Sequence, residues 1–176
     1  MPVDVVVLAG GAARRFGADK VALLLDTVLD SVADGLRSDL GALVCVGPPR
    51  PTRRDVGWTR EEPPLGGPLA GVATGLAWTS SEVVGVVGGD MPEVGWALAA
   101  LVSAVASHDA AVLADADGRV QPLAAAWQRV ALARQLAALE PVAGRPLRLL
   151  LDDVDVVTVS DRWGAGRDVD VPSDLS

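Results

Sequence analysis

Isoleucine, asparagine and tyrosine are missing from the 176 residues, and cysteine, histidine and phenylalanine occur once each. The lone Cys45 excludes a disulfide framework and a Cys-rich zinc site. The lone His108 argues against a His-based metal centre and, near a predicted helix end, is placed to interact with the helix dipole. No apolar run approaches the ~18 residues that span a bilayer. The opening Met1-Pro2-Val3-Asp4 lacks the basic region of a signal peptide, so the expected location is the cytoplasm. Positive charge is also short: 15 basic residues face 23 acidic ones, a net charge of −8, and no Lys/Arg cluster stands out. Such a chain is poorly suited to neutralising nucleic-acid phosphates.

The rare residue types share a cause. Ile, Asn, Tyr, Phe, Lys and Met all use AT-rich codons. Lys20 is the single lysine among 15 basic residues, which leaves fourteen arginines. A GC-rich genome that drifted lysine to arginine, isoleucine to valine and phenylalanine to leucine or tryptophan accounts for this. Phe16, Lys20 and Met91 are then retained against a bias, the first two in one short segment. Chance survival is the competing account.

What is present describes a foldable globular chain, half hydrophobic and 22% charged, of a length that fits one domain over residues 1–176. Short Val-rich apolar runs at 3–8, 42–46 and 83–87 read as buried strands of a parallel sheet. A short strand is expected at 58–61 and others at 110–113, 120–127 and 154–159. Asp117-Gly118 signals a hairpin turn, and Pro122 marks an edge or a bulge in the returning strand. Helices are expected at 28–37, 69–78, 93–107 and 128–139, with a short one at 147–151. The alternation predicts a three-layer α/β domain of Rossmann-like type, with a mainly parallel sheet and an antiparallel hairpin near Gly118.

In such a sheet, ligands gather at the strand carboxyl ends. Three loops carry residue types suited to chemistry there. In residues 9–20, Gly10 and Gly11 let the backbone approach a ligand and aim N–H groups at phosphate oxygens, while Arg14, Arg15 and Lys20 add charge. A Walker A loop is excluded because Gly17 is followed by Ala18-Asp19-Lys20, and the G-x-G-x-x-G fingerprint is absent. A surface loop with solvated arginines accounts for the same residues. The second loop sets Glu61 and Glu62 beside Gly66-Gly67-Pro68 and a helix start. Its backbone N–H groups suit a base or a phosphate, and a Pro/Gly turn with two solvated carboxylates explains it as well. In the third, Asp90 ends a strand before Met91-Pro92. Its carboxylate suits Mg²⁺ shared with a phosphate, or an N-cap for the following helix.

Taken together, these loops resemble a known family. Leu8-Ala9-Gly10-Gly11-Ala12-Ala13-Arg14-Arg15-Phe16-Gly17-Ala18-Asp19-Lys20 is similar to the signature L-A-G-G-x-S/A-x-R-M/F-G-x-D-K of molybdenum cofactor guanylyltransferases and related nucleotidyltransferases. Glu62 to Gly71 resembles their second loop, D/E-x-x-x-x-G-G-P-L-A-G, and Gly89-Asp90-Met91-Pro92 their metal loop. Gln121-Pro122-Leu123 and Asp170 to Leu175 resemble two weaker segments, so hits run in order from residue 3 to 175. The resemblance implies transfer of GMP from GTP to molybdopterin, giving molybdopterin guanine dinucleotide and pyrophosphate. It implies nucleotide contacts by Leu8, Ala9, Gly10, Gly11 and Glu62, phosphate contacts by Arg15 and Lys20, and Mg²⁺ held by Asp90 with Asp170 as a second ligand. Arg15, Lys20 and Asp90 are the implied catalytic residues. Molybdoenzyme apoproteins or their chaperones are the implied downstream partners.

The chain departs from the pattern at four places. Glu62 or Glu61 stands where many members have Asp, and Gly47 where some have Asn. Residues 23–30 are shorter than the usual stretch after the lysine, and Asp168 and Asp170 replace asparagines near the C-terminus. Two rival readings follow: a cytidylyl- or other nucleotidyltransferase of the same fold, and a non-catalytic nucleotide-binding module.

Overall fold

The computed structural model describes residues 1–10 and 20–166. Among them, seven strands form one sheet: β1 (Val3–Leu8), β2 (Leu40–Val46), β3 (Gly57–Thr59), β4 (Val83–Gly88), β5 (Ala110–Ala114), β6 (Val120–Gln128) and β7 (Val156–Ser160), in the order β3-β2-β1-β4-β6-β5-β7. All pairings are parallel except those of β6, which runs antiparallel to both β4 and β5. The expected antiparallel hairpin is β5–β6, closed by Asp115, whose Oδ1 accepts the N–H groups of Asp117 and Arg119.

Valine builds the centre because β-branched side chains pack well on a pleated surface, and a strand covered on both faces is apolar throughout. Alternation divides β1 and β4 between two cores. Val3, Val5, Val7, Val83 and Val87 face α1 (Lys20–Leu36) and α3 (Gly95–Ala104). Val6, Val84 and Val86 face α2 (Pro68–Leu76) and α4 (Arg129–Ala138). The result is the expected three-layer α/β architecture. No described helix is long and apolar enough to cross a membrane.

One boundary differs from expectation in a way that matters. The first helix begins at Lys20, not at residue 28, and Lys20 belongs to it and not to a loop. Val21, Leu24, Leu25, Val28, Leu29, Val32 and Leu36 are buried at helical spacing from the start. The run Ala22-Leu23-Leu24-Leu25 hides that period, since Leu23 is apolar yet exposed. Residues 23–30, which the resemblance marks as shortened, are continuous helix. In β6 the alternative of an edge is settled as a bulge. Val112 pairs with Ala125 but Leu113 with Gln121, so Pro122, Leu123 and Ala124 lack partners in β5.

Asp4 ties the sheet to its flanking loops. Its buried carboxylate accepts backbone N–H groups from Ala42, Ser80 and Ser81 at 2.8, 2.7 and 2.9 Å. Burial alone would raise its pKa, but the bonds from Ser81, Ser80 and Ala42 outweigh that and hold it below the usual carboxylate value. Behind the sheet, α1 crosses α3 with backbones nearly touching. A Cβ on Gly95 would lie 1.9 Å from the Ser31 carbonyl oxygen, and one on Gly35 would lie 1.9 Å from that of Gly95.

Candidate functional site

The parallel strands β1, β2, β4, β5 and β7 end together at one sheet edge, at Leu8, Val46, Gly88, Ala114 and Ser160, and β6 starts there at Val120. Main-chain bonds hold these ends together: Ala9 N–H donates to Val46 O and Gly89 N–H to Leu8 O, each at 2.9 Å, and Gly47 N–H to Thr59 O at 2.8 Å. Over this edge opens a cleft of about 310 Å³, whose lining includes Leu8, Gly10, Val21, Glu61, Gly67 and Asp90.

Two helices aim their amino ends at the cleft. Val21 of α1 lines it, as do Pro68 and Gly71 of α2. Neither helix has an acidic residue in its first turn, and no side chain caps the start of α2, whose partial positive charge suits an anion. Pro68 at the start of α2 forgoes an N–H that has no helical partner, and Gly67 before it takes φ +86°.

Lys20 and Asp90, seventy residues apart in sequence, meet here. Nζ lies 2.8 Å from Oδ2, with side-chain exposures of 10% and 25%. An ammonium that little exposed needs a counter-charge, and Asp90 is one. Asp90 does not cap the following helix: α3 begins after Val94, and the N–H of its first residue, Gly95, donates to Ser31 Oγ at 3.3 Å. The capping account of Asp90 is thereby removed. No group of three or more His, Cys, Asp and Glu gathers among the described residues. An all-protein metal cage is therefore not formed by them. A carboxylate on a cleft edged by helix amino ends is the donor set suited to Mg²⁺, which is commonly held by one or two carboxylates plus substrate phosphates.

The other expected site residues fall as follows. Leu8 and Gly10 line the cleft, while Ala9 is buried behind it. Glu61 lines the cleft. Glu62 is exposed, is not among the lining residues, and donates its backbone N–H to Thr74 Oγ1. The four-residue spacer of the signature, counted back from Gly66, also leads to Glu61. Gly11, Arg15 and Asp170 lie outside the described residues.

Other features of the site were not foreseen. Leu65 lines the cleft mouth with 94% exposure and φ +60°. Its loop is propped by Gly144 N–H donating to Gly66 O at 2.8 Å. Leu123, in the β6 bulge, lines the opposite side. Gly47, where some family members carry Asn, has φ +149°, and a Cβ there would lie 2.7 Å from Gly10 N and 2.9 Å from Ala9 O.

Two nucleophile or ligand types stay out of the site. Cys45 is buried in β2, and burial pushes its thiol up to about 12. His108 sits before β5 at the opposite sheet edge, at the end of the short helical turn Val105–Ser107 that follows α3, as expected, and its Nδ1 is 3.1 Å from Asp155 Oδ2.

No curated protein sequence is significantly similar to this chain. Among solved structures, a homologue of Mycobacterium tuberculosis Rv0371c from mycobacterium sp. strain JC1 is similar at TM-score 0.75 and 22% identity, covering 98% of this chain and 92% of that one. Molybdopterin-guanine dinucleotide biosynthesis protein A from Archaeoglobus fulgidus is similar at TM-score 0.67 and 23% identity, covering 98% and 94%. The 2-C-methyl-D-erythritol 4-phosphate cytidylyltransferase from Thermus thermophilus is similar at TM-score 0.69 and 23% identity, covering 99% and 96%. These likenesses establish the nucleotidyltransferase fold. The MobA-like NTP transferase domain matches residues 5–157, most of the chain, and the chain belongs to that family of nucleotidyltransferases.

Proposed function

We propose that this nucleotidyltransferase moves GMP from GTP to molybdopterin in the cytoplasm, forming molybdopterin guanine dinucleotide. A terminal phosphate oxygen of molybdopterin bonds to the α-phosphorus of GTP. The bond from that phosphorus to the bridging oxygen of the β-phosphate breaks, and pyrophosphate leaves with the electron pair. The observation that carries the reading is the Lys20–Asp90 pair at a cleft edged by two helix amino ends. Such transfer is mostly positioning and charge neutralisation, and these groups supply both. The choice of GTP and molybdopterin draws on the ordered motifs and on the likeness to the Archaeoglobus fulgidus protein.

In this reading the backbone of Leu8, Ala9, Gly10 and Gly11 cradles the nucleotide. Lys20 and Arg15 hold its phosphates, Glu61 takes the acidic contact first assigned to Glu62, and Asp90 with Asp170 holds Mg²⁺. Bound Mg²⁺ supplies charge neutralisation for the phosphates. The product passes to molybdoenzyme apoproteins or their chaperones.

The test is pyrophosphate release from GTP with Mg²⁺ and molybdopterin, run beside thermal melts with each of GTP, ATP, CTP and UTP. A nucleotide at about 100 times its dissociation constant adds about 2.7 kcal/mol of stability. GTP is expected to give the largest shift and to support turnover. The largest shift from CTP would overturn the guanylyl assignment and favour a cytidylyltransferase, a reading that the likeness to the Thermus thermophilus enzyme supports. Binding of GTP without pyrophosphate release would favour a non-catalytic module.

A further inference from the structure

Lys20 and Asp90 stand where the phosphate role and the metal role meet, and each is a counter-charge for the other at 2.8 Å. Their proposed ligands compete with that pair. A divalent cation taking Asp90 alone stands beside an ammonium. A triphosphate taking Lys20 alone stands beside a carboxylate. Either ligand by itself meets a like charge and displaces a counter-charge from a poorly solvated group. Together, each ligand supplies the charge that the other displaces.

The backbone offers neither group an easy retreat. Lys20 opens a 17-residue helix with a fully packed inner face. Asp90 sits in a turn closed by Met91 N–H to Gly88 O at 3.3 Å and tied to β1 by Gly89 N–H to Leu8 O at 2.9 Å. We propose that this ion pair couples the two binding events: the protein excludes the divalent cation by itself and takes it up together with a phosphate-bearing ligand. The inference rests on the reading of Asp90 as the metal ligand, and it adds an order of binding that the reading does not contain. Coupling is reciprocal, so the cation raises phosphate affinity by the same factor as phosphate raises cation affinity.

The test needs no nucleotide. Mn²⁺ is titrated into the full chain alone, with unbound Mn²⁺ followed by electron paramagnetic resonance. Removing the ammonium is expected to tighten Mn²⁺ binding. Lys20→Met, or Lys20→Gln if the first does not fold by circular dichroism, should bind Mn²⁺ at least ~10-fold more tightly than the parent, within the usual coupling range of about 5–150-fold. Adding Asp90→Asn to either variant should abolish the gain. No gain in a folded neutral variant, or a gain that survives Asp90→Asn, overturns the proposal. If no nucleoside triphosphate is turned over, the assigned function fails while this titration still reads the pair.

Discussion

Replacing Lys20 with arginine keeps the charge and changes its shape. Lys20 is 8% exposed, and its ammonium already has a fixed partner in Asp90 at 2.8 Å. A guanidinium is planar and broader than an ammonium, with donors in a rigid fork. The first consequence is a packing cost. Extra atoms forced into a closed site cost about 1–3 kcal/mol, so at about 2 kcal/mol a domain of this size loses roughly 6 °C in Tm. That is larger than the surface exchange expected of a lysine in a loop, because the structure puts this lysine at a helix start under cover. The second consequence is catalytic. An ammonium can sit between phosphate oxygens as a point charge, whereas the fork sets its charge about 1 Å away, an error that can cost about 100-fold. That factor is about 2.7 kcal/mol of transition-state stabilisation. Pyrophosphate release under steady state, a thermal melt and the Mn²⁺ titration together resolve these effects. Turnover falls, Tm falls, and Mn²⁺ binding to the variant alone stays as weak as in the parent because the charge is kept. A kcat/KM within a few-fold of the parent would refute the reasoning. The survival of Lys20 against codon bias would then be chance, and the phosphates would be held by Arg15 and the main chain.

Further expectations test other parts of the structure. Asp90→Asn keeps shape and a hydrogen-bond acceptor but loses charge. It should lower turnover at saturating Mg²⁺ by at least ~100-fold, with an unchanged far-ultraviolet spectrum because Asp90 caps nothing; near-normal turnover would sink the metal role. Gly95→Ala gains up to about 1 kcal/mol of helix propensity, yet its Cβ would lie 1.9 Å from Ser31 O, so urea unfolding should show a net loss of about 2 kcal/mol. A stabilised variant would mean that α1 and α3 part without cost. Asp4→Ala should cost about 3 kcal/mol at neutral pH, where the carboxylate accepts three backbone donors. The folded pKa of Asp4 is lowered, so its contribution is present above the unfolded value of about 3.9 and fades as pH falls through the folded one. Unfolding curves at neutral and at strongly acid pH should therefore converge for parent and variant, and a constant gap would contradict the assignment.

The sheet was legible because buried parallel strands leave a short, Val-rich mark, as in Val3–Leu8, broken only by Asp4, and in Val83–Gly88. Pro122, which cannot extend a ladder, narrowed its position to an edge or a bulge, and only the register of β5 with β6 selects the bulge. The start of α1 was not, since consecutive leucines satisfy strand and helix patterns alike until burial separates Leu24 from exposed Leu23. In the site, Lys20 and Asp90 were readable from residue type and motif, and the topology brings them together. The loop at 61–67 was not readable in detail. A Pro/Gly-rich segment has no period, so nothing in it states which of two adjacent glutamates faces the cleft or that Leu65 stands outside.

Gly47 bears on how mutational data for this protein are to be interpreted. Its missing side chain lets β2 end flush against the Ala9–Gly10 backbone, with no room for even a methyl group. The wall of the cleft beside Gly10 is thus made of main chain. Main-chain acceptors are present whatever residue carries them and main-chain donors in every residue but proline, so no exchange of side chains short of proline deletes them. An alanine scan would score Gly47 as intolerant through local distortion, and would leave the main-chain groups of that wall silent. Selection faces the same limit: at this wall, recognition can be altered by moving backbone, but not by exchanging side chains.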